Sequence, residues 1–507
     1  MLRTCRTADG GRSTELVRLT IAQSGEEVAM ASIDEKNLEE KLTALESART
    51  WSARLVSKLE SNIRSASDAE LFRINPIKFA ADKSLNEEET IVLFLHATAL
   101  GLFDMTWILI CPVCSCVIDS FRALKNLRSH CRCTHCHLDF VAALDDMIAI
   151  TFTVNPAIRR ISYHDPQTLT VEDYLFRYRS TNEGLIPDGT PFVHLREMLS
   201  RGLAYIEPGE TTAFEIIAEA GILHGSSSDS DAGITFIVDP ALPTGEQRIA
   251  IRLDLESSTP DAGTIAAGKV IFEMSNVADK RIEFGILQLP PGVDRPPPLH
   301  FAPFLSGKRL LTTQTFRDLF RSEVIRSHEG LGVTDIALLF TDLKGSTALY
   351  DRIGDLNAFA LVQQHFERLQ DVTVRHNGAI IKTIGDAVMA AFLRPADAVR
   401  AALDMRSEIA SFNKRQPDKA LILKIGVHRG AAIAVTLNER LDYFGQTVNI
   451  AARVQGLADA DEIFVSQDVY DATGVRDGLA AFAVDPRTAH LRGVRQELPV
   501  FRVGGAV

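Results

Sequence analysis

The sequence predicts a multi-domain α+β protein. A helical N-terminal segment carries a cysteine-rich element, a central antiparallel β domain of sandwich type follows, and a ferredoxin-like βαββαβ domain closes the chain. Three observations predict this. Six of the seven cysteines lie between residues 111 and 136. Between about 145 and 290, short runs of alternating polarity follow one another, among them "TAFEIIAEA", "GITFIVD", "RIAIRLDLE" and "RIEFGILQL", separated by turn-rich stretches such as "HGSSSDSDAG". Beyond residue 333 the periodic segments run strand, helix, strand, strand, helix, strand.

Taken in order, residues 1–33 are polar, lack the apolar segment of a signal peptide, and read as a disordered lead in which Met30 offers a second start. Residues 34–110 read as helical, opening with the charged helix pair of "IDEKNLEEKLTALESARTWSARLVSKLE". Within them, "IVLFLHATALGLFDMTWILI" (91–110) is long enough to span a bilayer. His96 and Asp104 interrupt it, "NEEE" (86–89) opens it as a helix start, and Gly101 stops it. A buried helix followed by a short strand is expected, with no transmembrane segment. Residues 141–305 read as a β-rich regulatory domain that senses an unassigned ligand or protein, with a proline-rich edge near 289–304. Residues 306–332 read as a linker helix, because Phe316, Leu319, Phe320 and Val324 recur at helical spacing. The last domain is expected over 333–507.

Composition narrows the function. Hydrophobic residues make up 46% and charged residues 24%, as in a globular protein, and the formal net charge is −12. A chain of that sign is a poor general binder of nucleic acid, although "FRALKNLRSHCR" (121–132) is locally basic. Clustered cysteines indicate a metal site in a reducing, cytoplasmic compartment and not a secreted disulfide framework. Over 111–140, "CPVC" (111–114) and "CTHC" (133–136) are two CxxC knuckles separated by 18 residues. That spacing is zinc-ribbon-like: Cys111, Cys114, Cys133 and Cys136 would hold one structural Zn²⁺ in a closed tetrahedral site. Cys116, Cys131, His130, His135 and His137 are spare candidates.

The C-terminal domain carries two polar constellations in an apolar frame. Asp342 ends the first strand, in "FTDLKGST", and Asp386 opens the third, in "IGDAVM". In a βαββαβ sheet these strands are antiparallel neighbours, so both carboxylates reach one end of the sheet, where they could hold two divalent cations. Gly345 permits a tight turn, and Ser346 or Thr347 could cap the following long helix (347–376), whose free N–H groups attract phosphate. In "LDYFGQTVNIAARV" (441–454), Asn449 and Arg453 are four residues apart and share a helix face.

Residues 335–505 resemble the catalytic domain of the class III nucleotidyl cyclases. "FTDLKGST", "IKTIGDAVMAAF", "KIGVHRG" and "DYFGQTVNIAAR" occur in that family's order and spacing. The resemblance implies metal binding (Mg²⁺ or Mn²⁺, two per site) by Asp342, Asp386 and the backbone carbonyl of Leu343. It implies base selection by Lys382 and Asp442, and transition-state contacts by Asn449 and Arg453. Arg492 falls near a family lysine that contacts the terminal phosphates, and the change to arginine leaves that role open. It further implies a homodimer with active sites at the interface, so that Asp386 serves one site and Lys382 the other. The competing reading is a local, exposed Lys382–Asp386 salt bridge worth about 0–1 kcal/mol. Lysine only donates and ionised aspartate only accepts, which matches N1 and the N6 amine of adenine; guanine reverses that edge. The expected activity is an adenylate cyclase (a phosphorus–oxygen lyase) forming 3′,5′-cyclic AMP from ATP. The alternatives are a guanylate cyclase or a catalytically weak ATP-binding signalling module.

Overall fold

The computed structural model describes residues 33–145, 147–293, 297–326, 329–415, 421–493 and 497–506. The lead expected over 1–33 lies outside them apart from Ile33. The N-terminal segment is helical where its leucines recur every third or fourth residue. α1 (Glu35–Ala48) buries Leu38, Leu42 and Leu45, and α2 (Leu55–Ser65) buries Leu55, Leu59 and Ile63. α3 (Pro76–Lys83) starts behind Asn75, and α4 (Glu87–Ala99) behind Asn86, whose side chain accepts from the Glu89 N–H. Gly101, at φ +77°, turns the chain into β1 (Phe103–Ile110). The apolar stretch 91–110 is therefore a buried helix end and a strand. Among the described residues no helix is long and apolar enough to cross a membrane.

β1 pairs with β2 (Val117–Phe121) on one side. β3 (His130–Cys133) and β4 (Leu138–Val141) form a separate hairpin. On its other side β1 pairs with β5 (Ile148–Val154), every residue of which is buried. That strand, which the alternation places in the β-rich segment, thus belongs to the N-terminal sheet. Short pieces follow: α5 (Val171–Asp173), β6 (Gly184–Leu185) and α6 (Phe192–Leu199).

A two-sheet sandwich comes next, built from β7 (Ser200–Ile206), β8 (Thr211–Ala218), β9 (Gly221–Ser226), β10 (Gly233–Asp239), β11 (Gln247–Leu253), β12 (Ser258–Thr259), β13 (Ala262–Ala266), β14 (Gly268–Asn276) and β15 (Ile282–Leu289). One sheet has the order β13-β10-β9-β15-β7, the other β12-β11-β14-β8. Phe214, Phe236, Phe272 and Phe284 lie in the core between them. The expectation of an antiparallel domain is corrected at two places: β10 pairs with β13 in parallel, and β11 with β14. The chain changes sheet between these partners, so they enter from the same end. Alternation along a strand reports its buried face and not the direction of its neighbour.

β16 (His300–Phe301), α7 (Gly307–Leu311) and α8 (Gln314–Leu319) lead to the C-terminal domain. The linker helix expected through Val324 is corrected: α8 ends at Leu319. Beyond it the backbone bonds to the sheet instead, with the Ile325 N–H donating to Thr436 Oγ1 at 2.7 Å.

The C-terminal domain contains β17 (Leu331–Leu343), α9 (Ser346–Ile353), α10 (Asp355–Arg375), β18 (Gly378–Ile384), β19 (Ala387–Phe392), α11 (Pro395–Arg415), β20 (Leu423–Leu437), β21 (Arg440–Phe444), α12 (Gln446–Gly456), β22 (Ile463–Ser466), α13 (Gln467–Tyr470), α14 (Val475–Leu479), β23 (Phe482–Ala489) and β24 (Leu498–Ala506). Its sheet runs β18-β19-β17-β20-β22-β24-β23, and β21 folds back on the second half of β20. The order of the first four strands is that of a ferredoxin-like βαββαβ unit. The single long helix expected over 347–376 is two helices, because Gly354 at φ +76° breaks it.

One face of this sheet packs Leu339, Val388, Ala390 and Val427 with residues of α10 and α11. The opposite face, with Leu338, Phe340, Ile381, Met389 and Tyr443, shares one core with Trp107 and Phe316 of the N-terminal region. α8 forms part of the seam. Gln314 Oε1 accepts from the Ile380 N–H on edge strand β18 at 2.8 Å, and the Arg317 guanidinium donates to the Leu441 carbonyl.

Candidate active site and metal centre

Asp342 is the penultimate residue of β17, and Asp386 occupies the turn between β18 and β19. Phe340 pairs with Met389, so the two aspartates lie just beyond the same pair, at one end of neighbouring strands. Gly385, at φ +64°, makes the turn possible. The Val388 N–H donates to Thr341 Oγ1 at 3.1 Å and ties that turn to the strand carrying Asp342. Asp386 Oδ2 is buried and has no hydrogen-bond partner among the described residues. A buried, unpartnered carboxylate oxygen is costly unless a cation meets it. The two carboxylates therefore fit a divalent metal, and Leu343 is the last residue of β17 beside them.

Two supporting groups were not legible in the sequence. Thr341 is 1% exposed and reads as one more strand residue, and its hydroxyl role depends on the turn opposite. Lys424 pairs in register with Asp342, and its Nζ lies 3.9 Å from Asp342 Oδ2. "KIGVHRG" contains that lysine, but the register alone assigns its partner.

Beyond Leu343 the chain turns at Gly345, φ +75°, which is itself the N-cap of α9. This corrects the expectation that Ser346 or Thr347 caps the helix: Ser346 is its first residue, and the Thr347 side chain lies outside the described set. Lys344 pairs with Asp459.

Lys382, on β18, meets Asp442, on β21: Nζ to Oδ2 is 2.6 Å. Asp442 is 8% exposed, and its Oδ1 accepts from the Tyr443 N–H at 2.8 Å. Sixty residues apart in sequence, the two are joined because β21 folds back on β20 toward β18. Lys382 thus pairs with Asp442 and not with Asp386 in the adjacent turn.

α12 packs on β20 and β17 and carries exposed Asn449 and half-buried Arg453. A Cβ at Gly493 would come within 3.5 Å of the Arg453 guanidinium, so that turn, with exposed Arg492 beside it, lies against Arg453. Among the described residues no hydrogen bond or ion pair joins Asn449 or Arg453 to Asp342 or Asp386 within the chain.

The cysteine knuckles converge. Cys111 Sγ lies 3.6 Å from Cys136 Sγ, and Cys114 Sγ 3.6 Å from Cys133 Sγ. All four sulfurs lie within 4.8 Å of one another, and none is in a disulfide. Tetrahedral Zn²⁺ with bonds of about 2.3 Å requires sulfur–sulfur edges of about 3.8 Å. Hydrogen bonds from Cys111 and Cys114 pull the Cys133 thiol down to about 6. The spare candidates turn elsewhere. Cys131 faces the Phe140 carbonyl, His130 Ser129, His135 Ser226 and His137 Asp231. Cys116 Sγ instead accepts from the buried Arg196 guanidinium at 3.1 Å, a contact across 80 residues that no spacing reveals.

Residues 331–500 match the adenylate and guanylate cyclase catalytic domain, so the C-terminal part is a cyclase-family domain. Residues 35–318 match a family of unknown function, DUF5939, and the chain, more than half of which that match covers, belongs to this family. Adenylate cyclase 2 of Rhizobium meliloti (strain 1021) is 28% identical over 166 residues, which is 30% of this chain and 46% of that relative. The pH-sensitive adenylate cyclase MT1302 of Mycobacterium tuberculosis (strain CDC 1551 / Oshkosh) is 31% identical over 175 residues, 34% of this chain and 41% of that one. The matches span less than half the length of either relative. The solved adenylyl cyclase CyaB from P. aeruginosa is 19% identical, covering 35% of this chain and 97% of that one, with a TM-score of 0.32.

Proposed function

We propose that the C-terminal domain converts ATP to 3′,5′-cyclic AMP and pyrophosphate, in active sites that two copies of the chain share. The observation that carries the choice of substrate is the Lys382–Asp442 pair, held at 2.6 Å with Asp442 buried. Lys382 has donor capacity left for adenine N1, and Asp442 has acceptor capacity left for the N6 amine. A guanine edge would set donor against donor and acceptor against acceptor, which a buried polar pair rejects strongly.

Asp342, Asp386 and the Leu343 carbonyl would hold Mg²⁺ or Mn²⁺, a reading supported by the unpartnered Asp386 Oδ2. Bound there, the cations lower the pKa of the ribose 3′-hydroxyl and neutralise triphosphate charge. Asn449 orients the ribose. Its 3′-oxygen gives up its proton to water and bonds to the α-phosphorus, while the bond to the bridging oxygen of the β-phosphate breaks and pyrophosphate leaves. Arg453 stabilises charge developing on the α-phosphoryl group. The N–H groups of Gly345, Ser346 and Thr347 and the side chain of Arg492 serve the departing phosphates. Sharing between copies is supported by there being, among the described residues of one chain, no bond from Asn449 or Arg453 to the aspartates. Cys111, Cys114, Cys133 and Cys136 hold one structural Zn²⁺, supported by their sulfur spacings. The N-terminal region regulates the cyclase domain, supported by the core they share.

The purified chain, assayed with ATP and with GTP in Mg²⁺ or Mn²⁺, is expected to form cyclic AMP. Cyclic GMP alone would assign a guanylate cyclase, and ATP binding without product a signalling module. Asp342→Ala and Asn449→Ala proteins, each inactive, are expected to regain activity when co-assembled. A mixture as inactive as its parents removes the shared site.

A further inference from the structure

The turn-rich stretch "HGSSSDSDAG" folds around one carboxylate. Glu283, on β15, is 2% exposed. Its Oε1 accepts from Ser227 Oγ at 2.9 Å, Ser228 Oγ at 2.8 Å, the Asp229 N–H at 3.0 Å and the Ser228 N–H. Its Oε2 accepts from no other described residue. Glu283 lines a cavity of about 480 Å³, and with Oε1 enclosed by four donors the oxygen left to face that space is Oε2.

The charges around the cavity are unevenly placed. Beside Glu283 stands exposed Asp229, whose carboxylate accepts from the Tyr174 hydroxyl and pairs with the Arg179 guanidinium, Nε to Oδ1 being 3.2 Å. Arg179 is thus taken by Asp229, and Glu283 forms no ion pair among the described residues, which leaves its buried carboxylate short of one positive charge. Burial first, and then the charge of Asp229, push the Glu283 carboxyl up to about 7, the response of an acid that lacks a cation. At the solvent side are exposed Lys280 and half-exposed Arg281, whose guanidinium carbon lies 3.9 Å from the centre of the Tyr205 ring. The cavity therefore offers a buried acceptor in Glu283, tyrosine walls, and the cations Lys280 and Arg281 nearer solvent, with exposed Asp229 already engaged by Tyr174 and Arg179.

We propose that this cavity binds a small zwitterion, its ammonium group against Glu283 Oε2 and its carboxylate or phosphate group toward Lys280 and Arg281. The site is separate from the cyclase domain and does not depend on the reading given to it. It also has a structural neighbour: the loop that wraps Glu283 is the loop on which the cysteine knuckle rests. Thr134 Oγ1 donates to the Ser228 carbonyl at 2.6 Å, His135 Nδ1 lies 2.9 Å from Ser226 Oγ, and His137 Nδ1 lies 3.2 Å from Asp231 Oδ1. A ligand that holds Glu283 ionised tightens the same loop from its other side.

The probe is 6-aminohexanoate, titrated into the full chain by calorimetry and ligand-observed NMR up to about 20 mM, which reaches millimolar dissociation constants. Hexanoate and hexylamine are the controls. The expected result is saturable binding of the zwitterion, weaker binding of hexylamine and none of hexanoate. Glu283→Gln keeps a carbonyl oxygen for the four donors and replaces Oε2 with an amide N–H₂, and it is expected to weaken binding about tenfold or more. Should that variant fail to fold, the double variant Lys280→Ala, Arg281→Ala is expected to remove the preference for 6-aminohexanoate over hexylamine. No saturable binding, undiminished binding by folded Glu283→Gln, or hexanoate binding as well as the zwitterion would overturn the proposal and leave Glu283 as a staple of its own loop.

Discussion

At the scale of single residues, the carboxylates of the cyclase domain divide into one that is satisfied and one that is not. Asp442 has both oxygens engaged, whereas Asp386 Oδ2 is buried without a partner. Substitutions at Asp386 and at the partner of Asp442 are therefore expected to behave oppositely. Asp386→Asn gives up no hydrogen bond at Oδ2, so its unfolding free energy stays within about 0.5 kcal/mol of the parent, while turnover with ATP falls about 100-fold or more. Urea titration and initial rates on one preparation check both halves. Lys382→Ala leaves Asp442 buried without its cation, and a cost of about 1–3 kcal/mol is expected, together with at least about a tenfold loss of preference for ATP over GTP. An unchanged ATP/GTP ratio in that variant would remove the pair from base selection.

At the scale of elements, α10 contains a buried group that couples the domain to pH. His365 is fully buried, and neither ring nitrogen has a partner among the described residues. Unfolded, its imidazole titrates near 6.5; folded, burial lowers it to about 4. Between those values the unfolded chain binds more protons, so acid favours unfolding. The stabilising contribution is complete above about pH 6.5 and is lost as pH falls through 4, about 3 kcal/mol in all. His365→Leu is expected to flatten this acid limb when stability is measured by urea titration from pH 7 to pH 4. The elements also show what a sequence can and cannot display. The helix start at Asn86, the stop at Gly101 and the order of strands and helices after residue 333 are local signals, and they were legible. So was the convergence of Asp342 and Asp386, because strand order alone determines it. The parallel pairs of the sandwich, the transfer of β5 to the N-terminal sheet and the early end of α8 depend on partners far away in sequence. The same holds for Glu283, one glutamate among polar residues until four donors from another loop close around one of its oxygens.

At the scale of the whole molecule, two devices tie parts of the fold together, one within the DUF5939 region and one between it and the cyclase-family domain. One is the cysteine knuckle, which links the β1–β2 and β3–β4 hairpins and leans on the sandwich loop. Metal analysis is expected to give about one zinc per chain, and treatment with a strong chelator, or replacing Cys133 with serine, is expected to lower thermal stability in the N-terminal region. A chain free of zinc with unchanged melting would take the metal out of the fold. The other is the apolar face of the C-terminal sheet, where Phe340, Ile381 and Met389 are buried in the same core as Trp107 and Phe316. Two parts held by one core cannot lose it separately. Heated in a calorimeter, the protein is expected to give one endotherm spanning both regions, and Phe316→Ala, at a cost of about 3–5 kcal/mol, to move that whole peak downward. Whatever loosens the N-terminal half is then felt as softness in the half that carries the aspartates.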